Sequence, residues 1–251
     1  QRALARTFND MTGRVARLVR SQQDFVADAS HQLRTPLTGL RLRLEEARAH
    51  VDSPSAIAEL DAGMTEIDRL AQILEELLIL SRAGERELPG TQVDLGEAAE
   101  RAAERWAQAA AERDQRVDAE VEAAGSAWCA PADLDRVLDV LVENALRYSP
   151  AGSGVLLAAG PDRIEVLDDG PGPASGEEEA VFERFHRGRA GRGGPPGTGL
   201  GLPIARELAG EWDATVVLEA RIGGGGRAVV RFAPVVARRA PALVSEPEPA
   251  R

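Results

Sequence analysis

The chain of 251 residues contains no lysine, so all 30 of its basic residues are arginine, and 41 acidic residues outnumber them. The resulting net charge of −11 argues against a nucleic-acid partner, because binding to a polyanion requires a basic face. Cysteine is also scarce. Cys129 is the only one, so no disulfide can form within the chain, and we expect a reducing compartment.

Long hydrophobic runs are missing as well. No stretch approaches the roughly 18 apolar residues that a membrane-spanning helix needs, and the chain shows no signal peptide and no initiator methionine. We therefore expect a soluble piece of a longer protein. Hydrophobic residues make up 43% of the sequence, which is enough to pack a core, and the length allows one large domain or two small ones.

The N-terminal third carries apolar residues at alternating steps of three and four, the spacing of paired amphipathic helices. One series runs from Leu4 to Leu18, a second from Leu33 to Ala47, and a third from Ile57 to Leu78. A hairpin of two helices is too thin to bury both of its stripes. Residues 25–84 are therefore predicted to form a four-helix bundle in a homodimer, with one hairpin from each chain.

From about residue 91 to residue 236, helical patterns alternate with short strands. Helices are predicted over Leu95–Arg113 and Asp133–Tyr148. The predicted strands are Val117–Val121, Ser126–Cys129, Gly154–Ala158, Ile164–Leu167, Ala214–Glu219 and Ala228–Phe232. Mostly antiparallel strands mixed with helices indicate a two-layer α/β sandwich, so the chain as a whole is predicted to be α+β. The tail over 237–251 is predicted to be disordered.

A histidine with an informative context lies in the second helical series. His31 belongs to the sequence Ser-His-Gln-Leu-Arg-Thr-Pro at 30–36. At about 100 degrees per residue, it lies about 200 degrees around the helix from Leu33, so it points away from the apolar stripe and shares a face with Thr35. An imidazole with an ordinary pKa of about 6.5 is mostly neutral at pH 7 and keeps a free lone pair, which suits a nucleophile.

Three motifs that suit a nucleotide site follow in the second half of the chain. They read Glu-Asn-Ala-Leu-Arg-Tyr at 143–148, Asp-Asp-Gly-Pro-Gly at 168–172 and Gly-Thr-Gly-Leu-Gly-Leu at 197–202. The last leads into a helix with Pro203 in its first turn, where backbone N–H groups can hold phosphates. Its spacing matches neither a Walker loop nor the dinucleotide fingerprint. A nucleophile in one segment and a nucleotide pocket in another suggest a kinase that phosphorylates its own histidine.

Taken together, the four motifs resemble those of the sensor histidine kinases of two-component signalling, over nearly the whole chain. The resemblance implies that residues 1–24 are the end of a HAMP-like signalling helix, that 25–84 form the dimerisation and phosphoacceptor hairpin, and that 91–236 form an ATP-binding catalytic domain of the type shared with DNA gyrase. It also implies the cytoplasmic part of a bacterial inner- or plasma-membrane protein, which reaches the membrane only through an N-terminal part absent from this chain.

The same resemblance assigns roles to the acceptor segment. His31 is expected to take the phosphoryl group from ATP and pass it to an aspartate on the receiver domain of a response regulator. Gln32 stands where the family commonly has a carboxylate that assists the histidine. Thr35, on the same helix face, is placed to orient a water molecule for dephosphorylation of the regulator.

For the pocket, the resemblance implies that Asn144 binds Mg²⁺ through its amide oxygen, a hard ligand that suits this ion. Asp168 would accept a hydrogen bond from the adenine amino group, and Arg187 would reach the terminal phosphate. Phe182 and Phe185 are predicted to anchor the base of a mobile lid over 188–197 by packing. The other expected nucleotide-binding residues are Arg147, Tyr148, Gly170, Gly172, Gly197, Thr198, Gly199, Leu200, Gly201 and Leu202.

Val140 is a second departure from the family's pattern, because the family often has another asparagine there. Metal or phosphate contacts from this turn of the helix are then lost or are made by Glu143 or water instead. Two rival functions stay open. One is an ATPase of the gyrase or chaperone kind in which ATP drives a clamp, although the His31 segment and the lack of a transducer domain argue against it. The other is a scaffold or phosphatase-only module, which Gln32 and Val140 keep open.

Overall fold

The computed structural model describes residues 32–82, 89–122, 125–189 and 197–234. The predicted HAMP-like helix over 1–24, His31 itself and the predicted disordered tail over 237–251 lie outside these residues. Among the helices that are described, none combines the length and the apolar run that a bilayer span requires. The described chain is α+β, with a helical hairpin followed by a two-layer α/β domain.

The hairpin consists of α1 over residues 32–49 and α2 over Pro54–Arg82. Three ion pairs join the two helices at intervals of seven residues, Arg34–Glu75, Arg41–Asp68 and Arg48–Asp61. All six side chains are substantially exposed, so each pair stabilises the fold little. Their spacing nevertheless defines an antiparallel register, because the paired positions rise by seven residues along α1 while they fall by seven along α2.

Within one chain, the apolar stripe of α1 stays open to solvent. Leu33 is 49% exposed and Leu40 is 48% exposed, whereas Ile67 and Leu78 of α2 are buried. The α2 helix also has a second apolar face, formed by Ile73, Leu77 and Leu80, that packs against the core of the α/β domain. The stripe predicted from the sequence did not include this face. Through it, α2 packs against the domain that carries the nucleotide motifs.

The α/β domain contains three helices and seven strands in the described residues. They are β1 (Thr91–Asp94), α3 (Leu95–Ala111), β2 (Arg116–Val121), β3 (Ser126–Cys129), α4 (Pro131–Tyr148), β4 (Gly154–Ala159), β5 (Arg163–Asp168), a 3₁₀ turn (Ala180–Phe182), α5 (Gly201–Gly210), β6 (Thr215–Ala220) and β7 (Gly226–Arg231). The helix and strand boundaries predicted from the sequence lie within about two residues of these, a normal difference at element ends.

Five strands form the main sheet, in the order β2-β4-β5-β7-β6. Only the β2–β4 pair is parallel, so the prediction of a mostly antiparallel sheet is confirmed. In β4 and β5, every second residue is buried, because one face of the sheet packs against the helices. A short antiparallel pair, β1 with β3, lies apart from this sheet, and β1 was not predicted.

The cysteine lies at the end of β3 and has a structural role. Cys129 is buried, and its burial raises the pKa of the thiol to about 11. A thiol with this pKa is almost entirely protonated at pH 7 and is therefore a poor nucleophile.

Candidate nucleotide-binding active site

A single pocket collects the predicted nucleotide motifs at one end of the α/β domain. Its walls come from α4, from the end of β5, from the loop at 186–188 and from the glycine-rich turn that starts α5. The predicted residues that line it are Asn144, Arg147, Tyr148, Asp168, Gly172, Arg187, Gly197, Thr198, Gly199, Gly201 and Leu202. Four segments that are distant in sequence therefore meet around one cavity.

Asp168 is held rigidly at the end of β5. It is only 8% exposed, and its Oδ1 accepts hydrogen bonds from the backbone N–H groups of Gly170 at 2.7 Å and Gly226 at 3.2 Å. Burial raises the pKa of this carboxyl, and the two backbone donors act in the opposite sense. Because both backbone bonds go to Oδ1, Oδ2 takes no part in them, and the carboxylate can act as an oriented acceptor in the pocket.

The two glycines after Asp168 have different roles. Gly172 lines the pocket and has a φ of +64°, which favours glycine, and a Cβ there would lie 2.9 Å from the Gly225 carbonyl oxygen. Gly170 does not belong to the pocket lining. A Cβ at Gly170 would lie 3.1 Å from the Tyr148 carbonyl oxygen, so this glycine lets the loop pack against the end of α4.

The α4 helix presents a polar face to the pocket. Asn144 lies on it one turn before Arg147 and Tyr148, and Glu143 forms a close ion pair with Arg147. The Arg147 guanidinium reaches the glycine-rich turn, since a Cβ at Gly197 would lie 2.7 Å from its Nη1. This helix therefore brings one amide and one guanidinium to the place where phosphates would be held.

The glycine-rich turn is fixed by backbone contacts at its centre. Gly199 has a φ of +71°, and its carbonyl oxygen accepts a hydrogen bond from the Phe185 N–H at 2.9 Å. A Cβ at Gly199 would lie 2.9 Å from the His186 carbonyl oxygen, so a larger residue would push the two segments apart. Leu200 is fully buried in the core, where it anchors the turn and does not line the pocket.

The two phenylalanines at the base of the predicted lid behave differently. Phe182 is buried beneath the guanidinium of Arg206, which lies 3.5 Å from the ring centroid, so its predicted packing role is confirmed. The same prediction is wrong for Phe185, which is 60% exposed. Its φ of +63° and its backbone bond to Gly199 fix an unusual conformation in which the ring stays in solvent. Residues 190–196 of the predicted lid lie outside the described part of the chain.

Val140 also lines the pocket, and its side chain is buried against the start of α5. Its Cγ1 lies 3.3 Å from the position that a Cβ at Gly201 would take. A position where the family often has an asparagine therefore makes an apolar contact here. Glu143, a possible replacement on the same helix, is already paired with Arg147.

Gln72 and Glu76 of α2 complete the pocket, and the motifs gave no sign of them. Glu76 is 4% exposed, and its Oε1 accepts a hydrogen bond from Gln72 Nε2 at 2.9 Å. Burial raises the pKa of Glu76, and the nearby side chains of Thr198 and Gln72 act against this shift. The available signal was the second apolar face of α2, because Ile73 and Leu77 immediately follow these two polar residues.

The described part of the acceptor segment lies on α1 and does not line the pocket. Gln32 and Thr35 are both exposed. Arg34, between them, pairs with Glu75 of α2 at 3.3 Å. Since Glu75 precedes Glu76, the turn of α2 that faces the acceptor segment also contributes to the pocket wall. The hairpin and the pocket thus meet near Arg34 of the acceptor segment.

Two protein families match the chain. The His Kinase A phosphoacceptor domain matches residues 21–86, and the histidine kinase-, DNA gyrase B- and HSP90-like ATPases match residues 129–236. Among solved structures, full-length ShkA in complex with AMPPNP has a TM-score of 0.68 at 24% identity, over 83% of this chain and 45% of ShkA. At this level of identity, the likeness concerns the fold.

Curated relatives agree with both domain matches. Sensor protein CutS of Streptomyces coelicolor is 36% identical over 237 residues, which are 88% of this chain and 55% of CutS. The sensor-like histidine kinase SenX3 of Mycobacterium tuberculosis is 34% identical over 218 residues, 84% of this chain and 53% of SenX3. The chain thus spans about half the length of these relatives. With the acceptor and ATPase domains in order, it belongs to the sensor histidine kinase family of two-component systems.

Proposed function

We propose that this chain binds ATP in the pocket described above, transfers the terminal phosphoryl group to His31, and passes it to an aspartate on the receiver domain of a response regulator. One observation carries the proposal. Residues from the three nucleotide motifs and from the loop at 186–188 line a single pocket, and the hairpin with the acceptor segment packs against that pocket.

The two ends of the pocket suit the two ends of ATP. At one end, Asp168 offers an oriented acceptor for the adenine amino group, whereas guanine has an acceptor at that position. At the other end, the N–H groups of the glycine-rich turn and of the first turn of α5 favour phosphate oxygens. Arg147 and Arg187 add two planar cations, which suit charge that is spread over phosphoryl oxygens.

Asn144 is the residue we propose for Mg²⁺. Among the described residues, no group of three or more acidic, histidine or cysteine side chains forms a cage for a metal ion. Asn144 lines the pocket at its proposed phosphate end, where its amide oxygen suits a hard cation that takes its other ligands from water and from nucleotide phosphates. Such an ion would neutralise charge on the phosphate oxygens during transfer.

In the transfer step, a neutral ring nitrogen of His31 forms a bond to the terminal phosphorus, and the bond from that phosphorus to the bridging oxygen of ADP breaks. The proton on the other ring nitrogen then leaves. Gln32 can accept a hydrogen bond from the ring, but it cannot take this proton. Because Gln32 and Thr35 lie outside the pocket lining, transfer requires either movement of the hairpin against the α/β domain or an acceptor from a second copy.

We infer that the transferring unit is a homodimer. Residues 25–84 supply the hairpin, 91–236 the catalytic domain, and 1–24 the link to an N-terminal sensor at the bacterial inner or plasma membrane. Support comes from the exposed stripe of α1, where Leu33 and Leu40 have no cover within the described chain. A second hairpin would bury this stripe in a four-helix bundle.

A regulator phosphatase activity fits the same site. Thr35 is exposed and lies one helical turn after His31, where its hydroxyl can orient a water molecule. MprB of Mycobacterium ulcerans, named a histidine-protein kinase/phosphatase, is 31% identical over 237 residues. We propose that Thr35→Ala slows dephosphorylation of the regulator and leaves autophosphorylation unchanged.

Incubation with labelled ATP and Mg²⁺, followed by acid and base treatment, tests the kinase proposal. We expect label that is lost in acid and retained in base, as for phosphohistidine. His31→Ala should abolish the label and preserve ATP affinity, and Asn144→Ala should abolish Mg²⁺-dependent labelling. His50→Ala is the matched control, because His50 is an exposed histidine at the end of α1. Acid-labile label in the His31 variant would refute the assignment.

A further inference from the structure

The hairpin contributes a charged wall to the nucleotide pocket. Ile73, Leu77 and Leu80 pack α2 against the core of the α/β domain, and α2 contacts α5, which begins at the glycine-rich turn. This contact places Glu76 inside the pocket, although it belongs to the hairpin. No nucleotide motif contains this residue.

The surroundings of Glu76 do not stabilise a negative charge well. Its carboxylate is buried, and its Oε1 accepts a hydrogen bond from the neutral amide of Gln72, while the nearby hydroxyl of Thr198 also favours the charged form. Among the described residues, no group lies within hydrogen-bond geometry of the buried Oε2. The nearby carboxylate of Glu143 acts against the charge of Glu76, whereas the guanidinium of Arg136 favours it. A buried charge with so little compensation is costly.

Glu76 also lies where the phosphates would be held. Thr198, in the centre of the glycine-rich turn, is one of its neighbours. Asn144 and Arg147 line the same pocket. A polyphosphate bound at this turn would therefore carry its negative charge close to the carboxylate of Glu76.

We propose that Glu76 is an affinity-determining residue of the nucleotide pocket, supplied by the hairpin, and that its negative charge opposes binding of the polyphosphate while α2 is docked. This inference rests on the proposed function, because it takes the pocket to be the ATP site. Docking of α2 and binding of phosphates then compete. By thermodynamic linkage, bound triphosphate weakens the docking of α2 by the same factor by which docked α2 weakens binding of triphosphate.

Calorimetric titration of the full chain with adenosine, ADP and ATP tests this inference. Glu76→Gln keeps the size of the side chain and removes its charge. We expect ATP to bind about tenfold more tightly to this variant, the scale for removal of one like charge at close range in a protein. The gain should be smaller for ADP and absent for adenosine. Glu76→Ala should change affinity in the same direction.

Glu75→Gln is the matched control. It removes the same charge from the neighbouring position, which faces α1, so nucleotide affinities should stay within about twofold of the unsubstituted chain. Titrations with and without Mg²⁺ separate repulsion from metal binding. Weaker binding of Mg²⁺-ATP to Glu76→Gln would overturn the inference and make Glu76 a metal ligand. Equal ATP affinity in Glu76→Gln and in the unsubstituted chain would overturn the inference and leave the proposed function intact. Absence of ATP binding in the unsubstituted chain would overturn both.

Discussion

Replacement of Asp168 by asparagine should convert the proposed base-recognition group from an acceptor to a donor without a change of fold. The amide oxygen of asparagine can take the place of Oδ1 and keep the hydrogen bonds from Gly170 N–H and Gly226 N–H. The amide nitrogen then occupies the position of Oδ2. Because an NH₂ group cannot accept a hydrogen bond, the adenine amino group would face another donor.

The structure sets the size of this effect. A hydrogen bond to a charged group is worth about 1.5–3 kcal/mol, and two facing donors add a desolvation cost. A loss of about 2–4 kcal/mol corresponds to ATP binding that is weaker by roughly 30- to 1000-fold. The preference for ATP over GTP should also decrease, since guanine presents an acceptor to the new NH₂ group.

Competition binding of ATP and GTP measures both effects, and circular dichroism checks the fold. Asp169→Asn is the control, because Asp169 is the next residue, is exposed and faces Arg221 at 3.8 Å. ATP affinity should change little in this variant. Acidification should act like Asp168→Asn, because burial raises the pKa of Asp168 and a protonated carboxyl is a donor. An Asp168→Asn protein that binds ATP normally would refute this account of base recognition.

Three further outcomes are expected. Gln32→Glu should raise the autophosphorylation rate about tenfold or more in timed labelling assays, because a carboxylate can accept the imidazole proton, and equal rates would mean that proton removal is not limiting. Light scattering should show a dimer for the full chain and monomers for Leu40→Glu and for a fragment of residues 91–236; a monomeric full chain would contradict the bundle. In urea titrations, Glu165→Gln should cost about 1–2 kcal/mol at pH 7, because a two-pronged bond from Arg227 lowers the pKa of Glu165 to about 2. This stabilisation should be present above about pH 4.5 and lost as the pH falls to 2. If the two proteins still differ by the same free energy of unfolding at pH 2, the stabilisation does not come from the charge of Glu165.

The sequence predicted the α/β domain well where its elements have a clear period. In β4 and β5, alternation of buried and partly exposed residues marks strands with one face on the core, and α4 has apolar residues at helical spacing. β1 escaped prediction because only one of its four residues, Val93, is buried, and its partner β3 is more than thirty residues away. Short strands of this kind depend on tertiary pairing more than on local pattern.

The candidate site was predicted in part. Motif residues identified the α4 wall and the glycine-rich turn, but the roles of Leu200 and Phe185 depended on geometry that a motif does not contain. Leu200 lies inside the core, and a positive φ keeps Phe185 in solvent. Glu76 was missed for another reason. A helix with two apolar faces looks in sequence like a helix with one broad face, so the surface that docks on the α/β domain could not be separated from the surface that packs within the hairpin.

The position of α2 links the two sites of the proposed reaction through consecutive residues. Glu75 pairs with Arg34 of the predicted acceptor segment, and Glu76 lies in the candidate nucleotide pocket. Successive residues of an α-helix point about 100 degrees apart, so one turn of α2 faces both places. Because a helix moves as a unit over such a short distance, withdrawal of Glu76 from the pocket must also shift Glu75 relative to α1. Under the proposed role of Glu76, nucleotide binding that displaces it would therefore also perturb the Arg34–Glu75 contact in the acceptor segment.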